Sequence, residues 1–252
     1  VISQAVVLIW VLSYFMGDKC LLKLKIKYFK LNRNLVLSIF AIGMSPFVMQ
    51  VAASAVNIIL NKSLAVYGGD LAIGAMGIIN SVVTMILMPV FGVNQGAQPI
   101  IGYNYGAGQY DRVKKALKLS AIAATAITTS GWIVVELFPT VLVKMFNSSD
   151  AVLTSIGVHG IRIYLIMLPI IGFQIVSANF FQSIGRAKIS MFIALLRQVI
   201  VLIPMILILP LFFKINGVWI SAPVSDFIAA VVACLFLLSE VRKLKGNVTV
   251  EN

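Results

Sequence analysis

Apolar residues along this chain fall in long, nearly unbroken runs, without the strict alternation of a half-buried strand or the three-to-four-residue stripe of a surface helix. Seven such runs can be marked. Six of them are about 20 residues or longer, the length an α-helix needs to cross a hydrocarbon core about 30 Å thick. They are Leu35–Leu60, Leu71–Val93, Ala116–Phe138, Ile161–Phe181, Ile189–Leu211 and Val218–Ser239. The remaining run, Val1–Met16, covers only about 24 Å at 1.5 Å per residue and begins without a Met. The pattern predicts an all-α integral membrane protein: six transmembrane helices over 35–240, preceded at 1–16 by the end of one further, truncated membrane helix. A basic connector occupies 17–34 and a polar tail 241–252.

Polar residues inside the runs are few, and their spacing selects faces. Gln50 and Asn57 stand seven apart, two helical turns along one face, and Asn80 and Thr84 stand four apart. With Gln174 and Asn179 they are candidates for a polar seam facing a cavity; interhelical hydrogen bonds inside a packed bundle are the alternative. Two charges lie deep. Arg197 is about 12 Å along its helix from Ile189, and Asp226 about 12 Å along the next, antiparallel helix from Val218. In a core about 30 Å thick their depths differ by only about 6 Å, and a lone charge there costs about 2.5–3.5 kcal/mol on insertion scales. The two are therefore expected to seek each other, either as a fixed pair or as a pair that exchanges partners when an ion or substrate binds. Glu136 and Arg162 fall near the outer ends of consecutive spans, and form a candidate pair at the outer mouth.

The net charge of +12 points in a soluble protein to nucleic acid, but mean hydropathy is +1.02, and the distribution of charge matters more. Alternate connections hold fifteen of the 20 basic residues: six between Lys19 and Arg33, then Arg112, Lys114, Lys115 and Lys118, then Arg186 and Lys188, then Arg242, Lys243 and Lys245. The opposite connections hold Lys62, Lys144 and Lys214. The positive-inside rule places the first set, and with it the C-terminus, in the cytoplasm of a multi-pass protein. Lysines alternating with Leu, Ile, Tyr and Phe in the connector suit an amphipathic segment on anionic headgroups. Cys20 and Cys234 are too far apart in kind of environment for a disulfide, and a single histidine, His159, leaves no metal-ligand spacing. No cofactor or metal is expected. A membrane enzyme would need a His/Asp/Glu constellation at one face that this acid-poor chain lacks, and no phosphate-binding G-x-x-x-x-G-K-[ST] occurs.

The most distinctive stretch is Gly92–Lys118, GVNQGAQPIIGYNYGAGQYDRVKKALK. It reads as the end of an apolar helix, a glycine-rich turn, and a basic start to the next helix, with Asp111 suited to the free N–H groups there. Gly92–Gly96 and Gly102–Gly106 have the spacing that lets membrane helices approach closely. The order Gln95, Gly96, Gln98, Pro99, Gly102, Asn104, Gly106, Gly108, Arg112 resembles the loop after the eighth helix of the multidrug and toxin extrusion (MATE) transporters. Phe138-Pro139…Arg162, Gly185-Arg186-Ala187…Arg197-Gln198…Pro204 and Trp219…Pro223…Asp226 are similar to later parts of the same family.

The resemblance implies that the chain is the family's C-terminal six-helix lobe, with the connector joining it to a missing N-terminal lobe. It further implies a plasma-membrane antiporter exporting cationic or amphiphilic drugs in exchange for H⁺ or Na⁺. Carboxylates that some members carry in the seventh and tenth helices are replaced here by Gln50, Asn57, Gln174 and Asn179, so coupling through this lobe is in question. A lipid-linked oligosaccharide flippase of the same broad superfamily is the alternative. The orientation is checked by cysteines placed at Ser148 and Lys115 in a background without Cys20 and Cys234. Ser148 is expected to react with an impermeant thiol reagent from outside intact cells and Lys115 only after permeabilisation; reaction of both from outside overturns the helix assignment.

Overall fold

The structure, a computed structural model, describes residues 2–16, 33–147 and 150–246. The connector at 17–32 with Cys20, Ser148, and the end of the tail lie outside the described residues. The chain divides into two compact units, Val1–Pro46 and Phe47–Asn252. The first holds α1 (Ile2–Met16), apolar almost throughout, and the start of α2. The second holds the rest of α2 (Arg33–Gly106), then α3 (Tyr110–Leu137), the short α4 (Pro139–Lys144), α5 (Ala151–Tyr164), α6 (Leu168–Ser183), α7 (Ala187–Leu195), α8 (Ile203–Phe213) and α9 (Ile215–Gly246). A π-helical stretch, Leu196–Leu202, joins α7 to α8.

A straight helix with the 74 residues of α2 would run about 110 Å, more than three times the hydrocarbon thickness. Gly69 breaks it, with φ 68° and ψ −169°, a backbone region that glycine enters without a Cβ clash. Residues on either side of the break meet again: Asn57 and Asn80 line one cavity, Met49 and Phe91 another. The two limbs, 47–68 and 70–106, therefore lie antiparallel, as the runs Leu35–Leu60 and Leu71–Val93 require.

Two expectations need correction. The Gln95–Gly106 motif is not a loop: α2 continues to Gly106, and only 107–109 form the turn, closed by Gly108 at φ 71°. Glycine weakens a helix by about 1 kcal/mol per residue, which is less than leaving backbone groups unpaired at membrane depth. Ile161–Phe181 is not one straight span either. It is the later part of a broken one, α5 and α6 meeting at 52°. Pro169 has no N–H for the carbonyl of Leu165, and Leu165 accepts instead from Leu168 N at 2.9 Å in a tighter turn. Trp219, near the start of α9, is 1% exposed and packs against Gly160.

Packing follows the rule of membrane bundles, in which small residues let backbones approach. Gly172 of α6 lies so close to α3 that a Cβ there would sit 2.6 Å from both the Ala124 carbonyl oxygen and Thr128 Oγ1. Thr128 Oγ1 donates to Ala124 O at 3.0 Å and lies 3.3 Å from Pro169 O. Gly102 comes near the Ser183 carbonyl, whereas the positions beside Gly92, Gly96 and Gly106 are open. The buried core runs through Leu64, Met76, Ile79, Val90, Phe180, Phe181 and Trp219. Gly172→Ala is expected to cost about 1–3 kcal/mol, as overpacking does, while Gly92→Ala leaves stability unchanged or slightly raised. Thermal unfolding in detergent distinguishes them, and equal effects would contradict the α3–α6 close approach.

Candidate functional site

Pro204 cannot donate to the carbonyl of Ile200, four residues back, and the preceding turn widens into the π-helical stretch Leu196–Leu202. Such wide turns leave carbonyls out of register. The carbonyl of Arg197 is taken up by the hydroxyl of Ser225 on α9, at 2.5 Å. One residue further along α9, Asp226 Oδ1 accepts from Arg197 Nε at 2.6 Å. α9 thus holds Arg197 at both its backbone and its guanidinium. The Asp226 side chain is 4% exposed. In so dry a place a charge-assisted bond of this length is strong, and either partner alone would be costly.

Two cavities meet at this pair. The smaller, about 180 Å³, is lined by Asn57, Asn80, Tyr164, Arg197, Gln198 and Asp226 among apolar neighbours. The larger, about 390 Å³, lies toward the basic turns and is also lined by Arg197 and Gln198. α2 contributes Asn94, Gln95 and Gln98 to it, and α6 contributes Gln174, Asn179 and Gln182. Carboxamides, able both to donate and to accept, therefore dominate its polar wall, and no carboxylate lines it. Gln174 is 3% exposed, yet its Oε1 has no partner. Buried acceptors are rarely left unmatched; this oxygen is closed to solvent, as are the unmatched Asn104 Oδ1 and Trp132 Nε1.

Of the residues expected to line a cavity, Asn57 and Asn80 line the smaller one, and Gln174 and Asn179 the larger. Gln50 lines neither and is exposed, although its neighbour Met49 reaches the larger cavity. From the motif, Gln95 and Gln98 enter the larger cavity, while Asn104 turns back on the Ile100 carbonyl at 2.7 Å. Arg112 stands in the first turn of α3. Glu136 and Arg162 come together loosely, with Nε 3.7 Å from Oε2 and Nη2 donating to the Glu136 carbonyl at 3.3 Å; such a half-exposed pair is worth about 0–1 kcal/mol.

Sequence reasoning missed Asn94, Tyr164, Gln182 and Gln198 as lining residues. The spacings Asn94–Gln98 and Asn179–Gln182, four and three apart, were the available signal, since each repeats a carboxamide on one helix face. It also missed Glu240, 4% exposed and 2.5 Å from Arg186 Nη1, which fastens the α6–α7 turn to the end of α9. Among the described residues no group of three or more His, Cys, Asp or Glu could hold a metal.

The MatE family model matches residues 46–208. Curated relatives include the multidrug export protein MepA of Staphylococcus aureus, 26% identical over 243 residues covering 94% of this chain and 51% of that protein. MepA of Staphylococcus saprophyticus is 24% identical over 236 residues, again with 94% and 51% covered. The chain spans about half the length of these relatives. Among solved structures, the MATE multidrug transporter DinF-BH is 33% identical with a TM-score of 0.81, over 94% of this chain and 53% of that one. An outward-facing MATE family transporter of the MOP superfamily superposes with a TM-score of 0.84 at 19% identity, over 97% and 55%.

Arg197→Gln is expected to lower stability by about 3–5 kcal/mol, because it strands a carboxylate that is 4% exposed; Asp226→Asn should cost less, because Arg197 is 31% exposed to the cavities. The exchange Arg197→Asp with Asp226→Arg should recover part of that loss. A double-mutant cycle from chemical denaturation measures the coupling, and additive single effects would show that the contact contributes nothing.

Proposed function

The chain belongs to the MatE family, and we propose that it forms one lobe of a secondary antiporter that exports amphiphilic and cationic drugs across the plasma membrane in exchange for H⁺ or Na⁺. The observation that carries this reading is the carboxamide-lined cavity of about 390 Å³. Its wall mixes adaptable hydrogen-bonding groups with Phe91, Met49 and Ile175, a combination that tolerates varied ligands because no fixed charge pattern has to be matched. In this reading the missing N-terminal lobe supplies the opposite wall, the basic turns and the C-terminus face the cytoplasm, and alternating exposure moves the drug outward.

The Arg197–Asp226 pair is, in this reading, a fixed brace between the π-turn and α9. Two contacts hold the same residue, and loss of Arg197 leaves the Asp226 carboxylate buried. Ion coupling then belongs to residues outside this lobe, consistent with carboxamides where some relatives carry acids. The flippase alternative would need free cations facing the cavity to meet a pyrophosphate; among the described residues the cation that lines it, Arg197, is engaged with Asp226.

The test uses the full-length protein in proteoliposomes with an imposed H⁺ or Na⁺ gradient. Drug accumulation is expected to follow one of the gradients and to collapse with it. Asn179→Leu should weaken drug affinity up to about tenfold, the worth of one hydrogen bond, without loss of folded protein. The Arg197/Asp226 exchange variant should transport. If it folds but no longer couples, the pair takes part in ion exchange and is no passive brace.

A further inference from the structure

A second feature lies on the outside of the bundle, away from both cavities. The second limb of α2 and the start of α3 border a groove of about 360 Å³ floored by Ala97, Ala116 and Ser120. Short side chains on both helices leave the space between them unfilled. Ile100 and Leu119 form its rims, 53% and 59% exposed, and Arg112 and Lys115 stand together at the end nearest the turn. Residues 93–100 and 112–120 each rise about 10–12 Å along their helices. The groove is therefore a slot about 10 Å long, cationic at the membrane edge and hydrocarbon-like below.

Charge at the slot is uncompensated. Lys114, between the two basic residues, pairs with Asp111 at 3.3 Å, but among the described residues neither Arg112 nor Lys115 has an acidic partner. We infer that this groove binds one anionic phospholipid, its phosphodiester on Arg112 and Lys115 and the upper part of one acyl chain against Ala97, Ile100, Ala116 and Leu119. A zwitterionic lipid brings its own cation and leaves the two basic groups unmatched. A free phosphate would gain nothing from the apolar slot. The site is independent of what the protein transports and requires only that the helices span a bilayer.

The experiment is native mass spectrometry of the chain carried in nanodiscs of equal parts phosphatidylglycerol and phosphatidylcholine. The wild type is expected to retain phosphatidylglycerol preferentially, with one molecule held most tightly. Arg112→Gln and Lys115→Gln should each reduce that retention about fivefold, as expected for one basic residue at an anionic surface. Lys118→Gln, whose exposed side chain lies outside the slot, should leave it unchanged. Ala116→Trp should abolish it with both charges intact, and excess inorganic phosphate should not displace the lipid. Equal retention of the two lipids by the wild type overturns the inference whatever the variants do. So does an effect of Lys118→Gln matching the others, which means diffuse surface charge, or displacement by phosphate, which means an anion site with no lipid.

Discussion

A backbone in hydrocarbon has no water to receive an unmade hydrogen bond, and nearly every local feature of this chain answers that constraint. It keeps Gln95–Gly106 helical despite three glycines and a proline. It sends the hydroxyls of Thr84, Ser130 and Ser177 back to carbonyls one turn earlier. Where proline or a widened turn interrupts the ladder, a neighbour fills the gap: Leu168 N at the α5–α6 bend, and Ser225 Oγ at the π-turn. At these two places the irregular backbone lies beside another helix, where a partner can be found.

The same absence of water governs the charges. Arg197 and Asp226 are close because neither can be left alone at that depth, and Arg186 and Glu240 repeat the arrangement nearer the edge. Glu136 and Arg162, wetter and looser, show how little geometry is imposed once solvent can screen the pair.

These facts explain what could be read from the residues. Run length gave the helices, since the hydrocarbon thickness acts on each run separately. Depth along two antiparallel helices brought Arg197 to Asp226, because rise per residue is nearly constant. What could not be read depends on contacts between runs. Nothing in the run around Trp219 tells that Gly160 leaves room for its ring. The π-turn has a local cause in Pro204, yet its stability needs Ser225 from another helix. The larger cavity needs α2, α6 and α7 together; no single run shows more than two or three carboxamides, each of which could equally have been a packing bond.

The π-turn also fixes the counting of the chain. A wide turn stores one surplus residue relative to an α-helix, so the helices on either side keep nearly the phase that an unbroken helix one residue shorter would give them. Removing one apolar residue from 196–202 would therefore heal the ladder and leave Ser190 and Ala194 of α7 facing the larger cavity much as before. What would go is the irregularity itself: the Arg197 carbonyl would return to the helix ladder and no longer need the Ser225 hydroxyl. A chain one residue shorter here would keep its hydropathy, its charges and its helices, and lose the backbone tie between this turn and α9.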